Sequence, residues 1–365
     1  MLREFGVVKL QNFRQALKIG FAYTGVVVGA GFSTGQEILQ FFTNNGAVSI
    51  FAILLSGLLI LFTGKWTADV GFDIKAESHV DSLLNMFGNI FGRIIDIVLA
   101  FFLYGVAVIM LAGAGSTFYE SFGVAPWIGS LILIIGVYIT LNMGFNRIVL
   151  ALGAITPYLL ALVVIIAVVN FLNPALSLGE VDQHAQPSET TFGPWWWDAI
   201  TYSGFTIAVA FSFLTMMGSD SSSRKVAGWG GIIGSIIIIL LMFLINNGLL
   251  ARMDQVNEFE LPMLLLANEI HPILGFLLSI AMLLVIYNTA VGMLYPFLVR
   301  FSQPKSRRYN ILLPSTLVLG YFLSFVGFAD LVGTVYPIMG YVGLLLGLAM
   351  FFKWIKLMMA KKAPQ

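Results

Sequence analysis

The stretch 23–37, YTGVVVGAGFSTGQE, decides how this chain is read. It lies inside the first apolar run, 16–42, and sets glycines, hydroxyls, an amide and a carboxylate where an ordinary membrane helix carries aliphatic side chains. A straight helix over that run would be about 40 Å long, more than a hydrocarbon core of ~30 Å, so there is room for an unwound section. Gly25, Gly29, Gly31 and Gly35 can adopt open backbone geometries at little steric cost. Unwinding frees N–H and C=O groups, which a membrane tolerates only where they are buried in protein or line a polar cavity. Two readings stay open on the stretch alone. One is an unwound binding segment; the other is close helix packing, because Gly25-x-x-x-Gly29 and Gly31-x-x-x-Gly35 are also small-residue packing motifs. A nucleotide loop is excluded by the G-x-G-x-x-x-G spacing and the lack of a preceding strand.

The rest of the chain supplies the context. Of its 365 residues 59% are hydrophobic and 10% charged, and mean hydropathy is +0.93. A soluble domain carries about 25% charged residues, so this composition specifies a polytopic membrane protein. The net charge of +1 points to no nucleic-acid partner. The absence of cysteine rules out disulfides, thiolate metal sites and cysteine nucleophiles. His79, His184 and His271 are far apart in sequence and outside the apolar runs, so no histidine metal site is expected. Arg3, Lys9, Arg14 and Lys18 precede a long run with no small-residue cleavage site, so the first helix is expected to be retained.

Ten apolar runs have the length of spanning helices: 16–42, 47–67, 93–117, 124–143, 147–172, 195–218, 228–251, 272–300, 311–327 and 330–355. The stretches 78–91 and 258–270 read as short amphipathic helices at the interface. With the N-terminus in the cytoplasm, 18 of the 19 lysines and arginines fall inside and Arg252 falls outside, as the positive-inside rule requires. An even number of spans brings the C-terminus back to the cytoplasm. The outer loop 173–194 carries Glu180, Asp182 and Glu189 without a lysine or arginine, and ends in Trp195, Trp196 and Trp197, which suit an aromatic belt.

Tyr202-Ser203-Gly204 in span 6 echoes Tyr23-Thr24-Gly25 in span 1, about half the chain away. The expected architecture is an all-α membrane protein of two five-helix repeats, 1–172 and 195–365, inverted in the membrane and joined by the extracellular loop 173–194. Helices 1 and 6 are both expected to be broken at the midplane. Interrupted helices at matching positions of two halves point to a transporter's binding site.

The chemistry follows from half-helix ends, whose N-termini attract anions and whose free carbonyls attract cations. The outer half of helix 1 is expected to begin near Ser33 and Thr34, with N–H groups free for a carboxylate. The carbonyls of Gly25 and Val28 would face a cation. The expected substrate lining is Val27, Gly29, Ala30, Gly31, Tyr104 and Ala208, with Tyr202, Ser203, Gly204, Phe205 and Thr206 as the opposite wall. Tyr104 has an alternative use, a bond to a neighbouring backbone. Asn288 and Thr289 place adjacent oxygens deep in span 8, suited either to Na⁺ or to an interhelical hydrogen bond. Glu37 is an acid within an apolar run, open to proton coupling, outer gating or capping of a broken helix. Asp69, Asp96, Asp198 and Asp220 lie near span ends, where solvation is the simpler expectation.

The stretch YTGVVVGAGFSTGQEILQFF resembles the first helix of YkvI-like bacterial membrane proteins, a family grouped with amino-acid permeases and similar to the amino acid–polyamine–organocation superfamily and its LeuT fold. The A-G-x-x-V-G-x-G pattern of the sodium-coupled leucine carrier is met by 24–31, and its helix 8 hydroxyl pair, set before a proline, falls on Asn288 and Thr289 before Pro296. The resemblance implies a Na⁺ site on Gly25, Val28, Val285, Asn288 and Thr289. It departs in two places: the asparagine of a second, substrate-linked ion falls on Phe32, and span 5 has no lysine to replace sodium. It implies a secondary transporter, a symporter moving an amino acid or related carboxylate or zwitterion by alternating access through a bacterial cytoplasmic membrane. The expected partners are a small solute and lipid, with Na⁺ or H⁺ as coupling ion and no other cofactor or metal. A proton-coupled carrier using Glu37 and a non-transporting sensor are the alternatives. No acid pair, metal cluster or nucleophile motif points to an enzyme.

Overall fold

The computed structural model describes residues 2–75, 79–143, 155–186 and 193–360. The start of the expected fifth span, together with Ser78, Arg147, Glu189, Lys361 and Lys362, lies outside the described residues. Those described form helices and connecting turns, with no strand among them. In chain order they are α1 (Leu2–Val27), α2 (Ala30–Thr34), α3 (Gln36–Phe41), α4 (Ser49–Ile74), α5 (His79–Phe122), α6 (Pro126–Met143) and α7 (Ile155–Leu172). After these come α8 (Trp195–Ser219), α9 (Arg224–Leu250), α10 (Pro262–Ile270), α11 (Pro272–Phe301), α12 (Arg307–Leu323) and α13 (Phe328–Ala360). Among them seven helices are long and apolar enough to cross a membrane, and Pro126–Asn142 and Pro157–Leu172 are shorter apolar helices. Phe51, Phe101, Trp229, Phe276 and Leu348 are exposed on the outside. An apolar exterior of this kind is solvated by lipid tails rather than water.

Local chemistry sets the ends. The Ser223 and Ser306 hydroxyls accept from the Val226 and Tyr309 N–H groups at 3.2 and 3.1 Å, capping α9 and α12. Pro272 opens α11 behind His271, whose Nδ1 accepts from the Ile273 N–H at 3.1 Å. The amphipathic stretch expected over 78–91 forms a short helical segment set off from span 3 by a kink at Gly88. It is the first part of α5, and the helix is interrupted at Gly88, whose φ of 75° only glycine takes without strain.

The helices sort into two groups. In one, α4 packs on α8 and α9, and α9 packs on α1; in the other, α11 and α6 pack on α5, and α12 packs on α5 and α6. Helix α13 lies against α8. The first group and α13 are drawn together by glycines. A methyl group added to Gly71 or Gly218 would stand 2.2 or 2.3 Å from the carbonyl oxygens of Thr215 or Ala68, so the α4 and α8 backbones nearly touch.

Three of the four aspartates expected in solvent are buried instead. Asp69 accepts from Lys65 Nζ at 2.6 Å and from the Trp354 indole at 3.2 Å, and faces Arg224 at 3.4 Å, joining α4, α9 and α13. Asp198 accepts from Asn45 Nδ2 at 3.3 Å, and Asp96 is ion-paired with Arg300. A carboxylate near a helix end that finds a cation or amide can be covered by neighbouring helices, and sequence position alone cannot separate this from solvation. Asp220 is exposed, as expected.

Candidate functional site

Helix 1 is broken where its glycines cluster. The Val28 N–H still bonds to Thr24 O at 2.7 Å, but the Gly29 N–H turns back to Val27 O at 2.9 Å instead of continuing to Gly25 O. That turn releases Gly25 O from the helical ladder. The next helix, α2, begins at Ala30, earlier than the expected Ser33 and Thr34. Ser33 and Thr34 are fully buried, and their hydroxyls donate to Ala30 O at 2.6 Å and Gly31 O at 3.0 Å, so they serve the helix itself. A second interruption follows at Gly35, φ 80°, before α3.

Helix 6 is not broken. The helix α8 is continuous from Trp195 to Ser219 and carries the Tyr202-Ser203-Gly204 echo in regular helical backbone. Ser203 Oγ donates to Ile200 O at 2.6 Å and Thr206 Oγ1 to Tyr202 O at 3.1 Å. Gly204 is there for packing: a methyl group on it would stand 2.1 Å from Gly340 O of α13. Glycine serves unwinding in α1 and backbone approach in α8, and the triplet alone does not distinguish the two uses.

A cavity of about 540 Å³ runs between the two helix groups. Val26, Val27, Gly29, Ala30 and Gly31 from the break line it on one side with Phe205, Ala208, Val209 and Ser212 of α8. Leu99, Leu103, Val106 and Met110 of α5 and Thr289, Met293, Tyr295 and Pro296 of α11 line it on the other, and Tyr336 and Met339 of α13 contribute. At the inner end Glu37, Phe205, Tyr336 and Met339 are buried; towards Val299 and Arg300 the lining becomes exposed, so the cavity opens at that end. The Asp96–Arg300 ion pair lies in this part of the wall.

Several expected residues meet here: Val27, Gly29, Ala30, Gly31, Phe205, Ala208 and Thr289 line the cavity, and Glu37 closes its inner end. Thr289 Oγ1 is 3.9 Å from where a methyl group on Gly29 would be, so helices 1 and 8 approach at the break. Val28 and Val285 are buried, Asn288 is half-buried and Gly25 is exposed. Tyr104 points elsewhere. Its hydroxyl donates to Thr316 O of α12 at 2.8 Å and its ring stacks on Phe297, centroids 5.1 Å apart. Leu103, its neighbour, faces the cavity instead.

Glu37 is 4% exposed. The Tyr202 hydroxyl donates to its Oε2 at 3.1 Å, and the Tyr336 hydroxyl also bonds to its carboxylate. A methyl group on Gly31 would fall 1.6 Å from Glu37 Oε1, so the side chain folds back across Gly35 and fills the space glycine leaves. Tyr336 in turn stacks on Phe205, centroids 4.1 Å apart. Tyr336 was not picked out in the sequence; the one signal for it was a hydroxyl in the last apolar run, directly before Pro337.

The end of the break away from the opening is covered by α10. Met263 Cγ and Pro262 Cγ lie 2.7 and 3.3 Å from a methyl position on Gly35. This cover is tied to α5: the Glu260 N–H donates to Glu120 Oε1 at 2.7 Å, and the Ser116 hydroxyl donates to Glu260 Oε2. Glu120→Ala is expected to loosen it. The chain has no cysteine, so a single Met263→Cys reports access to a membrane-impermeant thiol reagent. Loss of about 1 kcal/mol of hydrogen bonding should speed labelling about fivefold; an unchanged rate would show that Glu120 does not hold the cover.

No protein-family profile matches the chain. The chain is 29% identical over 359 residues to YkvI of Bacillus subtilis (strain 168), an uncharacterised membrane protein, covering 97% of this chain and 98% of that one. It is 24% identical over 338 residues to YyaD of the same organism, covering 92% and 95%. Among solved structures, MhsT in complex with L-phenylalanine matches with a TM-score of 0.56 at 14% identity, over 93% of this chain and 98% of that one. The Eremococcus coleocola manganese transporter matches with a TM-score of 0.52 at 13% identity, over 90% of this chain and 77% of that one. The chain is therefore similar over nearly its whole length to YkvI, a membrane protein, and shares the LeuT-type fold of these solved transporters.

Proposed function

We propose that the protein is a secondary transporter that moves a small amino-bearing or carboxylate solute, an amino acid in the first instance, by alternating access. The observation that carries this reading is the break at Val28–Gly29, which puts released backbone against a cavity open at one end and covered by α10 at the other. A cavity built on a helix break between two helix groups is the arrangement of carriers that rock one group against the other. Ten spans in two inverted sets of five go with it, with both termini in the cytoplasm, and the group of α1, α4, α8 and α9 would rock against that of α5, α6, α11 and α12. The Asp96–Arg300 end would then face the cytoplasm. MhsT was solved with an amino acid, which favours that solute class over a metal ion, since among the described residues no group of three acids or histidines could hold a metal. Binding of Na⁺ by the Gly25 and Val28 carbonyls with Val285, Asn288 and Thr289 would couple its gradient to the solute.

The test is flux through reconstituted protein. Accumulation of a labelled amino acid is expected to rise with an inward Na⁺ gradient. Thr289→Ala should raise the Na⁺ needed for half-maximal uptake by about tenfold, a typical cost of disturbing a metal site. Uptake indifferent to Na⁺ would remove the sodium site, and binding without counterflow would make the protein a sensor.

A further inference from the structure

We propose that Glu37 is the anchor for a protonated amine on the solute, so that the transported molecule must carry an ammonium group and need not carry a carboxylate. This rests on the transporter reading and names the substrate class of the same cavity.

Three observations converge on it. The cavity lining holds three charged side chains, Glu37, Asp96 and Arg300. Asp96 and Arg300 neutralise one another towards the open end, which leaves Glu37 as the acid at the buried end. Among the described residues no lysine or arginine forms an ion pair with it. Its hydrogen-bond partners are the two phenols of Tyr202 and Tyr336, which fix the carboxylate in place and supply no positive charge. An ammonium brought beside this buried carboxyl would hold it ionised, and in a low-dielectric wall that pairing is far stronger than it would be in water, whereas a solute carboxylate finds no such partner there.

The surroundings match the rest of such a solute. Beside the carboxylate, the stacked rings of Phe205 and Tyr336 line the cavity and give an ammonium an aromatic surface. Beyond it Leu103, Val106, Met110, Val209 and Met339 form an apolar wall for a hydrocarbon body. Glu37 also lies against the Gly31 backbone in the first turn of α2. A solute carboxylate brought to that place would meet another acid and no cation.

The test is binding by the purified full-length protein, read by thermal shift and calorimetry, to compounds that share one skeleton: leucine, 3-methylbutylamine and 4-methylpentanoate, with shorter and longer homologues of each. The amine and the amino acid are expected to bind and the deaminated acid not to. Glu37→Gln should lower affinity for the amine at least tenfold, and Tyr336→Phe should lower it less. The ligand series on the unmodified protein decides the matter even if a variant fails to fold. The inference is overturned if the acid binds as tightly as the amine, if no amine-bearing homologue binds, or if Glu37→Gln keeps full amine affinity. It is also overturned if acid uptake brings in a proton that Glu37→Gln abolishes, which would make Glu37 a proton carrier. Failure of the transporter reading looks different: amine binding intact, with no flux across a membrane.

Discussion

Gly343→Ala is expected to destabilise the protein by about 2–3 kcal/mol, the upper part of the range for overpacking a close interior contact. The added methyl carbon would stand 1.7 Å from the Gly204 carbonyl oxygen and 3.1 Å from the Ala208 N–H nitrogen, all of it backbone. No side-chain rotation relieves such a clash. The helices α8 and α13 would have to separate, and with them the contacts of Gly204 on Gly340 and of Thr201 on Gly340. Gly292→Ala is the control: it lies in α11 with nothing within 4 Å of its added methyl group, and alanine favours a helix over glycine by about 1 kcal/mol. Unfolding of both variants in one detergent, followed by tryptophan fluorescence, should show Gly343→Ala melting well below the unmodified protein and Gly292→Ala at or above it. Equal melting would mean that α8 and α13 do not pack through these glycines.

The same contact explains what could and could not be read from the residues. The break in helix 1 was legible because its glycines come with Ser33, Thr34 and Glu37 in a run too long for a bilayer. Gly204 carries no such neighbourhood; an adjacent hydroxyl and an echo of three residues say that a small residue is needed, not whether the backbone opens or closes there. The need comes from Gly340 and Gly343, far away in sequence. Tyr104 was open between two uses for a related reason. A hydroxyl in mid-span must find a partner, and Thr316 O on α12 supplies it, away from the cavity. Glu37 stood out because an acid in an apolar run is costly, yet its partners come from α8 and α13, and no spacing within helix 1 encodes them. Asp96 and Arg300 were likewise placed near span ends one at a time; their pairing across α5 and α11 is a property of the folded chain.

Gly31→Ala should separate stability from solute recognition. Its methyl group would fall 1.6 Å from Glu37 Oε1, 1.9 Å from Cδ and 2.5 Å from Cγ. Unlike the Gly343 clash, this one involves the far end of a flexible side chain, so Glu37 can swing away while the helices stay put. The cost in stability is expected to be about 1 kcal/mol, since two phenol hydrogen bonds are lost and partly remade elsewhere. The carboxylate, however, would leave its seat between Tyr202 and Tyr336, and affinity for an amine-bearing solute should fall at least tenfold. Gly29→Ala, two residues earlier in the same break, is the matched control. Its φ of −87° and ψ of −147° lie outside the regions an L-residue prefers, so it carries the backbone cost of a side chain in the break, while its methyl group would meet nothing nearer than Thr289 Oγ1 at 3.9 Å. A generic intolerance of the broken segment to side chains would impair both variants alike. Displacement of Glu37 impairs Gly31→Ala alone, because of the two glycines only Gly31 has the carboxylate against its Cα. Calorimetric titration of both variants with 3-methylbutylamine reads the difference directly. Full affinity in Gly31→Ala, with its fold intact, would mean that the position of the Glu37 carboxylate does not matter to the solute.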